Sequence, residues 1–268
     1  MLTGSQTNFI LNQEIMGKHA VCSPSSFDRW QLKHCPFSAQ ANAKIPSVSS
    51  YPASEGTVMH EIAEMDLKGN LEGMSIDEYW LNKEVEQENN TVKVTQTLLD
   101  KAKLYVQYVK TRTEDLKGKL LIEEKVYVDE IHESIWGTSD AIILAKDKIC
   151  VIDFKFGKYP VKHPKENYQL WIYGLGALAR YGNADTKMEL TIVQPRSSNK
   201  KYIQTHEIDS DALVDWGFSI LKPSAEACFE ENPPKRAGEW CRFCNYKTDC
   251  DEYKLYEKRV ENDRIHKG

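Results

Sequence analysis

Two short apolar runs around a polar triplet form the clearest pattern in this chain. Residues 141–145 and 149–152 are rich in β-branched side chains, and a Lys-Asp-Lys triplet separates them. This arrangement predicts a β-hairpin whose turn centres on the first two residues of the triplet. Residues whose numbers sum to 293 then face each other, which places Asp140 opposite Asp153. Lys155 follows two residues later and shares the face of Asp153.

Strand and helix patterns alternate on both sides of this hairpin. Leu120–Val128 predicts a strand before it, and residues 188–194 and 202–207 predict a second hairpin after it. Apolar residues at helical spacing predict helices over 56–69, 75–117, 167–180 and 209–230. The alternation predicts an α/β fold.

Two carboxylates at directly opposed strand positions repel each other unless something neutralises them. A divalent metal would do so, since hard cations such as Mg²⁺ prefer carboxylate oxygens. The alternative is that Asp140 and Asp153 are solvated strand ends. On the preceding strand, Glu123 or Glu124 could face the same metals, although a solvated strand face is the expectation for both.

Composition narrows the classes of protein that fit. Of 268 residues, 41% are hydrophobic and 28% are charged, which is typical of a soluble globular protein. The formal net charge of −5 excludes a generally basic nucleic-acid binder, so any contact with DNA must come from a local basic patch. Because no run of about 18 apolar residues occurs, no membrane span is expected.

Cysteine spacing gives a second candidate site. The chain has seven cysteines and no recognisable signal peptide, which favours a reducing cytoplasm over a disulfide framework. Cys241, Cys244 and Cys250 follow a C-x2-C-x5-C spacing, a strong metal-binding signal. The fourth ligand is expected to be Cys35, with Cys22 as the alternative. Zinc and a 4Fe–4S cluster both suit four thiolates.

These motifs together resemble those of the PD-(D/E)xK nucleases. Gly137-Thr138-Ser139-Asp140 followed by Asp153-Phe154-Lys155 is similar to their G-x-x-D…D-x-K core, with Ser139 where the family commonly has proline. Gln169-x3-Tyr173 resembles the Q-x3-Y motif of the RecB-like branch, and Gly56-x3-His60 resembles its metal-binding histidine motif.

The resemblance implies a fold, a metal site and a reaction. The fold is a restriction-endonuclease-like mixed sheet flanked by helices. Mg²⁺ or Mn²⁺ would be held by His60, Asp140, Asp153 and the main-chain carbonyl of Phe154. Lys155 would orient the attacking water, while Gln169 and Tyr173 would position the lysine or the DNA backbone. Glu64, on the face of His60, is a further candidate for orienting the site.

Some RecB-like nucleases also carry a 4Fe–4S cluster on one N-terminal and three C-terminal cysteines. By this resemblance, Cys35, Cys241, Cys244 and Cys250 would hold a cluster that staples the two ends of the chain together. A single nuclease domain over 1–268 is implied. Its core would span about 54–208, and its cluster-bearing segments would span about 22–36 and 236–252.

The expected activity is that of a metal-dependent DNA exonuclease, similar to phage-encoded or CRISPR-associated enzymes. Phage recombination or replication in a bacterial cytoplasm is the expected setting, with a single-strand binding or annealing protein as a possible partner and oligomers allowed. Exposed lysines would contact DNA phosphates: Lys158, Lys162, Lys165, Lys200 and Lys201. The alternative is a non-catalytic DNA-binding or assembly module with a structural zinc site.

Overall fold

The computed structural model describes residues 20–46, 48–199 and 201–267, with side chains described as far as Asp263. Its helices are α1 (Phe27–Trp30), α2 (Phe37–Ala43), α3 (Tyr51–Leu67), α4 (Ile76–Trp80), α5 (Gln96–Leu116), α6 (Tyr168–Tyr181), α7 (Ser210–Trp216), α8 (Lys222–Ala227) and α9 (Asp251–Lys267). Its strands are β1 (Glu84–Gln87), β2 (Asn90–Lys93), β3 (Lys119–Tyr127), β4 (Trp136–Leu144), β5 (Lys148–Phe154), β6 (Lys187–Val193) and β7 (Ile203–Asp209).

The chain divides into two compact units. The described residues of the first fall within Met1–Pro46, Tyr127–Gly137 and Phe218–Gly268. The second comprises Ser47–Val126 and Thr138–Gly217. The sequence-based expectation of a single domain over 1–268 stays a prediction.

A five-stranded mixed sheet in the order β3-β4-β5-β6-β7 organises the second unit. Strands β4 and β5 pair antiparallel, β5 and β6 pair parallel, and β6 and β7 pair antiparallel. Helix α6 connects the two parallel strands, as a parallel pair requires. Six of the seven residues of β5 are buried, because a central strand is covered on both faces. The predicted α/β class is therefore confirmed.

Helices α5 and α6 show why these segments fold as they do. Thr95 caps α5 by accepting a hydrogen bond from the Leu98 amide, and Asn167 caps α6 in the same way. A stripe of buried apolar side chains then lies along one face of α5. Gly174 lets α6 approach the sheet, since a Cβ there would lie 3.2 Å from a side-chain carbon of Leu190.

Several element bounds differ from the sequence-based expectation. Helix α3 begins at Tyr51 rather than at residue 56, because Pro52 is tolerated in a first helical turn. The segment 75–117 is not one helix, since the antiparallel pair β1–β2 lies between α4 and α5. Within the described part of the chain, no helix is both long and apolar enough to span a membrane.

Candidate functional site

The hairpin formed by β4 and β5 has the register that the sequence predicts. Ala141 pairs with Ile152 and Leu144 with Ile149, so the paired residue numbers sum to 293. The Ala145 amide closes the turn by donating to the carbonyl oxygen of Lys148 at 2.9 Å. The next opposed positions are Asp140 and Asp153, whose side chains therefore share one face of the sheet.

Helix α3 brings His60 to the first of these aspartates. His60 Nδ1 lies 3.2 Å from Asp140 Oδ1, while Asp140 Oδ2 accepts a hydrogen bond from the Phe154 amide at 2.6 Å. Burial opposes a charge on the imidazole, yet the Asp140 carboxylate raises the pKa of His60. Burial likewise opposes the Asp140 charge, but His60 and Lys155 lower the pKa of that carboxyl. Each of the two side chains therefore favours the charged form of the other.

A chain of hydrogen bonds extends from the second aspartate to α6. Lys155 Nζ donates to Asp153 Oδ1 at 3.0 Å and to Gln169 Oε1 at 2.9 Å. Gln169 Nε2 in turn donates to the Tyr173 hydroxyl at 3.1 Å. Asp153 is only 3% exposed, and this burial raises the pKa of its carboxyl despite the nearby Lys155. The structure thus brings together all four of these predicted residues.

Strand β3 contributes a carboxylate that sequence reasoning assigned to a solvated face. Ligand atoms of Glu123, His60 and Asp140 lie within 4.8 Å of one another. Glu123 lies within β3 with a φ of +52°, a left-handed conformation that is uncommon for a residue other than glycine. Burial and the Asp140 charge raise the pKa of Glu123 to about 7. Glu123, His60, Asp140, Asp153 and Lys155 are called the acidic site below.

Neighbouring acids are engaged elsewhere. Glu124 accepts a hydrogen bond from the Tyr181 hydroxyl at 2.5 Å and pairs with Arg180 at 3.0 Å. Glu64 lines the same pocket as Glu123, but its carboxylate pairs with Lys68 at 2.6 Å. Only one glutamate of the Glu123-Glu124 pair therefore belongs to the acidic site.

Aromatic rings pack against the acidic site. The Tyr105 ring stacks on Phe154 with a centroid distance of 4.3 Å, and the His60 ring lies 5.0 Å from the same phenyl ring. Burial raises the pKa of Tyr105 well above its usual value, so this phenol stays neutral. These apolar walls limit the water around the charged groups and strengthen the interactions among them.

The first unit gathers the predicted cysteine ligands. Burial raises the pKa of Cys241, and the nearby thiols of Cys244, Cys35 and Cys250 raise it further. Burial also raises the pKa of Cys35, with contributions from Cys244 and Cys250. These four thiols, called the cysteine cluster below, are therefore near enough to influence one another electrostatically.

The alternative ligand, Cys22, has a different partner. Hydrogen bonding to the Cys228 thiol lowers the pKa of Cys22, and both residues are completely buried. Cys150, in the second unit, lies beside Glu189, with its Sγ 3.3 Å from Glu189 Oε1. Neither Cys22 nor Cys150 contributes to the set around Cys241.

Two polar side chains lie beside the cysteine cluster. Asn42 Nδ2 donates to Cys244 Sγ at 3.2 Å. Arg29 donates from a terminal nitrogen to the Phe243 carbonyl at 2.8 Å. Burial lowers the pKa of its guanidinium, while three of the clustered cysteines raise it. Its Nε is buried and has no hydrogen-bond partner among the described residues.

The predicted DNA-contacting lysines lie on the surface of the second unit. Lys158, Lys162, Lys165 and Lys201 are exposed, and the first three belong to the segment between Lys155 and α6. Lys200 lies outside the described residues.

The fold and the acidic site define a mixed α/β protein with a candidate metal centre on one hairpin of its sheet. Residues 19–267 match the profile of the family described as "Protein of unknown function (DUF2800)", and the chain belongs to this family. A solved structure titled "Crystal structure of SSO0001" is similar over 94% of this chain and 99% of that chain. It is 14% identical with a TM-score of 0.39, a likeness that carries no conclusion about function.

Proposed function

We propose that this protein is a metal-dependent deoxyribonuclease of the PD-(D/E)xK superfamily, similar to the RecB-like branch, and that it acts as an exonuclease. One observation carries the proposal. The β4–β5 register and the packing of α3 place Asp140, Asp153 and His60 together, with Lys155 held beside them. A purely structural ion-pair network would not need this order of D, D-x-K and helix-borne histidine.

The acidic site fits a divalent cation such as Mg²⁺ or Mn²⁺. Glu123, Asp140 and His60 offer clustered ligand atoms. Asp153 Oδ2 is buried and accepts no hydrogen bond in the described part of the chain, although Lys155 Nζ lies 2.8 Å away. Carboxylate oxygens suit Mg²⁺ and Mn²⁺, and the imidazole favours the transition metal. The carbonyl of Phe154 remains a predicted ligand.

A bound cation would activate a water molecule and neutralise charge that develops on the phosphate. Side chains of the protein would position the attacking water and the lysine. Lys155 is held by Asp153 and Gln169, so its ammonium group is fixed where it can orient the attacking water and offset negative charge. Tyr173 holds Gln169 through its hydroxyl and so restrains the lysine indirectly. Gln169 and Tyr173 thus serve as positioning residues.

The cysteine cluster is proposed to hold a 4Fe–4S group, with zinc as the alternative. Both suit four thiolates, and the resemblance to the RecB-like nucleases favours the iron–sulfur group. Its negative charge would also supply a partner for the buried Nε of Arg29.

In this proposal the cluster joins Cys35 to the C-terminal cysteines and acts as a staple. Phage or bacterial DNA recombination or replication is the proposed setting by family resemblance. A single-strand binding or annealing protein is the proposed partner.

The decisive experiment incubates purified protein with end-labelled linear DNA and with covalently closed circles in Mg²⁺ or Mn²⁺. We expect progressive degradation of the linear DNA and survival of closed duplex circles, because phosphate contacts carry no base information and an end must select the site. Rapid cutting of circles would indicate an endonuclease instead. Binding without cleavage of any DNA, together with one zinc per chain, would favour the non-catalytic module.

A further inference from the structure

The segment that follows the D-x-K motif carries the most exposed aromatic ring among the described residues. The side chain of Tyr159 is 84% exposed, and it follows Lys155 by four residues. Isolated apolar residues on a surface are common and need no function. The surroundings of Tyr159 are what distinguish it from such a residue.

A buried glutamine holds the backbone on both sides of this tyrosine. Gln194 is fully buried, and its Nε2 donates to the carbonyl oxygens of Gly157 at 2.8 Å and Tyr159 at 2.7 Å. Its Oε1 accepts a hydrogen bond from the Val161 amide at 3.2 Å. Both amide hydrogens and the amide oxygen of one core residue are therefore used to hold this segment. The Tyr159 ring is thus presented to solvent from a fixed backbone.

The position and charge of the segment suit a nucleic acid. Four residues span at most about 14 Å, so the backbone of Tyr159 lies within that distance of Lys155. Lys158 and Lys162 are exposed on the same segment. An aromatic ring flanked by cations is the usual means of binding single strands, because bases stack on the ring while lysines meet phosphates.

We propose that Tyr159 is a stacking platform for an unpaired nucleobase and that it gives the nuclease a preference for single-stranded DNA. This inference rests on the proposed function and names its substrate. In a duplex every internal base is already stacked on both faces and only the terminal pair exposes one, whereas a single strand can offer Tyr159 a free base face at every position. Gln194 acts as the positioning residue that keeps the platform beside the acidic site.

The test measures binding by fluorescence anisotropy with Ca²⁺ in place of Mg²⁺. Three labelled probes of equal length are compared: a single strand, a blunt duplex and a strand of abasic sites. We expect Tyr159→Ala to weaken binding of the single strand about tenfold, as loss of one stacked base would. Binding of the duplex and of the abasic strand should not change, since those contacts are to phosphates.

Matched variants complete the experiment. Tyr159→Trp should retain the affinity for the single strand, and Phe218→Ala, which removes a half-exposed ring from the first unit, should change nothing. Equal losses on all three probes, or no loss on any, would overturn the platform. If the wild-type protein degrades linear DNA while Tyr159→Ala binds the single strand normally, the stacking role of Tyr159 is refuted and the proposed nuclease function is retained. If the wild-type protein neither binds nor cuts DNA, both fail.

Discussion

The acidic site and the cysteine cluster are held by opposite kinds of interaction. In the acidic site, Asp140 pairs with His60, and Asp153 pairs with Lys155. In the cysteine cluster, the other thiols raise the pKa of Cys241 and of Cys35, and the adjacent Arg29 keeps a buried Nε without a hydrogen-bond partner in the described chain. The first set of side chains pairs opposite charges, whereas the second places like thiols together beside one arginine.

The two sites should therefore respond differently to mutation, one through activity and the other through stability. Ligands of the acidic site can be replaced with the rest of its network in place, so the loss should appear in activity. In the proposed function a bound cluster would hold the cysteines together, so loss of a cysteine should appear in the stability of the fold. Each of the following variants tests one side of that contrast.

The largest effect is expected for Asp153→Asn. Removing this charge takes away a metal ligand and a partner of Lys155, so cleavage of linear DNA should fall about a thousandfold or more. The melting temperature without metal should stay within a few degrees, because a buried carboxylate facing Asp140 is itself costly. The control is Asp147→Asn in the exposed hairpin turn, which should cleave normally. Full activity of Asp153→Asn would refute the mechanism.

The cysteine cluster should show the reverse pattern. Protein purified without oxygen should be brown, and Cys35→Ser should lose iron and about 3–5 kcal/mol of stability through loss of a long-range cross-link. That loss corresponds to a fall of about 10 °C in melting temperature. Cys22→Ser is the matched control, because Cys22 pairs with Cys228, and it should retain iron. Iron loss in Cys22→Ser alone would exchange the two assignments.

Glu123 tests whether the acidic site extends to β3. Glu123→Gln should weaken Mn²⁺ binding about tenfold or more in calorimetric titration, because it removes one carboxylate from the clustered ligands. Glu124→Gln changes the same group one position along, where Tyr181 and Arg180 already bind it. This second variant should bind Mn²⁺ normally. Equal affinities in the two variants would exclude Glu123 as a ligand.

The smallest effect concerns stability against pH in metal-free protein. The pKa of Glu123 is about 7 in the folded state and near 4.5 when unperturbed. The folded protein therefore holds a proton that the unfolded chain releases, so this stabilisation is complete below pH 4.5 and is lost as the pH rises to about 7. Glu123→Gln should flatten the slope of stability against pH. The difference in unfolding free energy between pH 5 and pH 8 should shrink by about 1–2 kcal/mol, after solvent screening is discounted.

Denaturant unfolding at pH 5 and pH 8 measures this slope. Glu124→Gln should keep the wild-type difference between the two conditions. A Glu123→Gln protein with an unchanged slope would show that another group of the acidic site accounts for it.

Local patterns in the sequence were sufficient for the hairpin and its register. Two β-branched runs joined by a short polar turn define one register through the position of the turn, and this register sets Asp140 opposite Asp153. Gln169 and Tyr173 are four residues apart and share a helix face for an equally local reason. The C-x2-C-x5-C spacing is local as well.

Tertiary structure alone decided which distant residues join these local groups. His60 reaches Asp140 through the packing of α3, and Cys22 takes the Cys228 thiol as its partner. The left-handed conformation of Glu123 has no signature in the sequence, because such a conformation is normally signalled by glycine or asparagine. Periodicity reports which face a residue occupies, whereas these contacts depend on the summed packing of segments far apart in the chain.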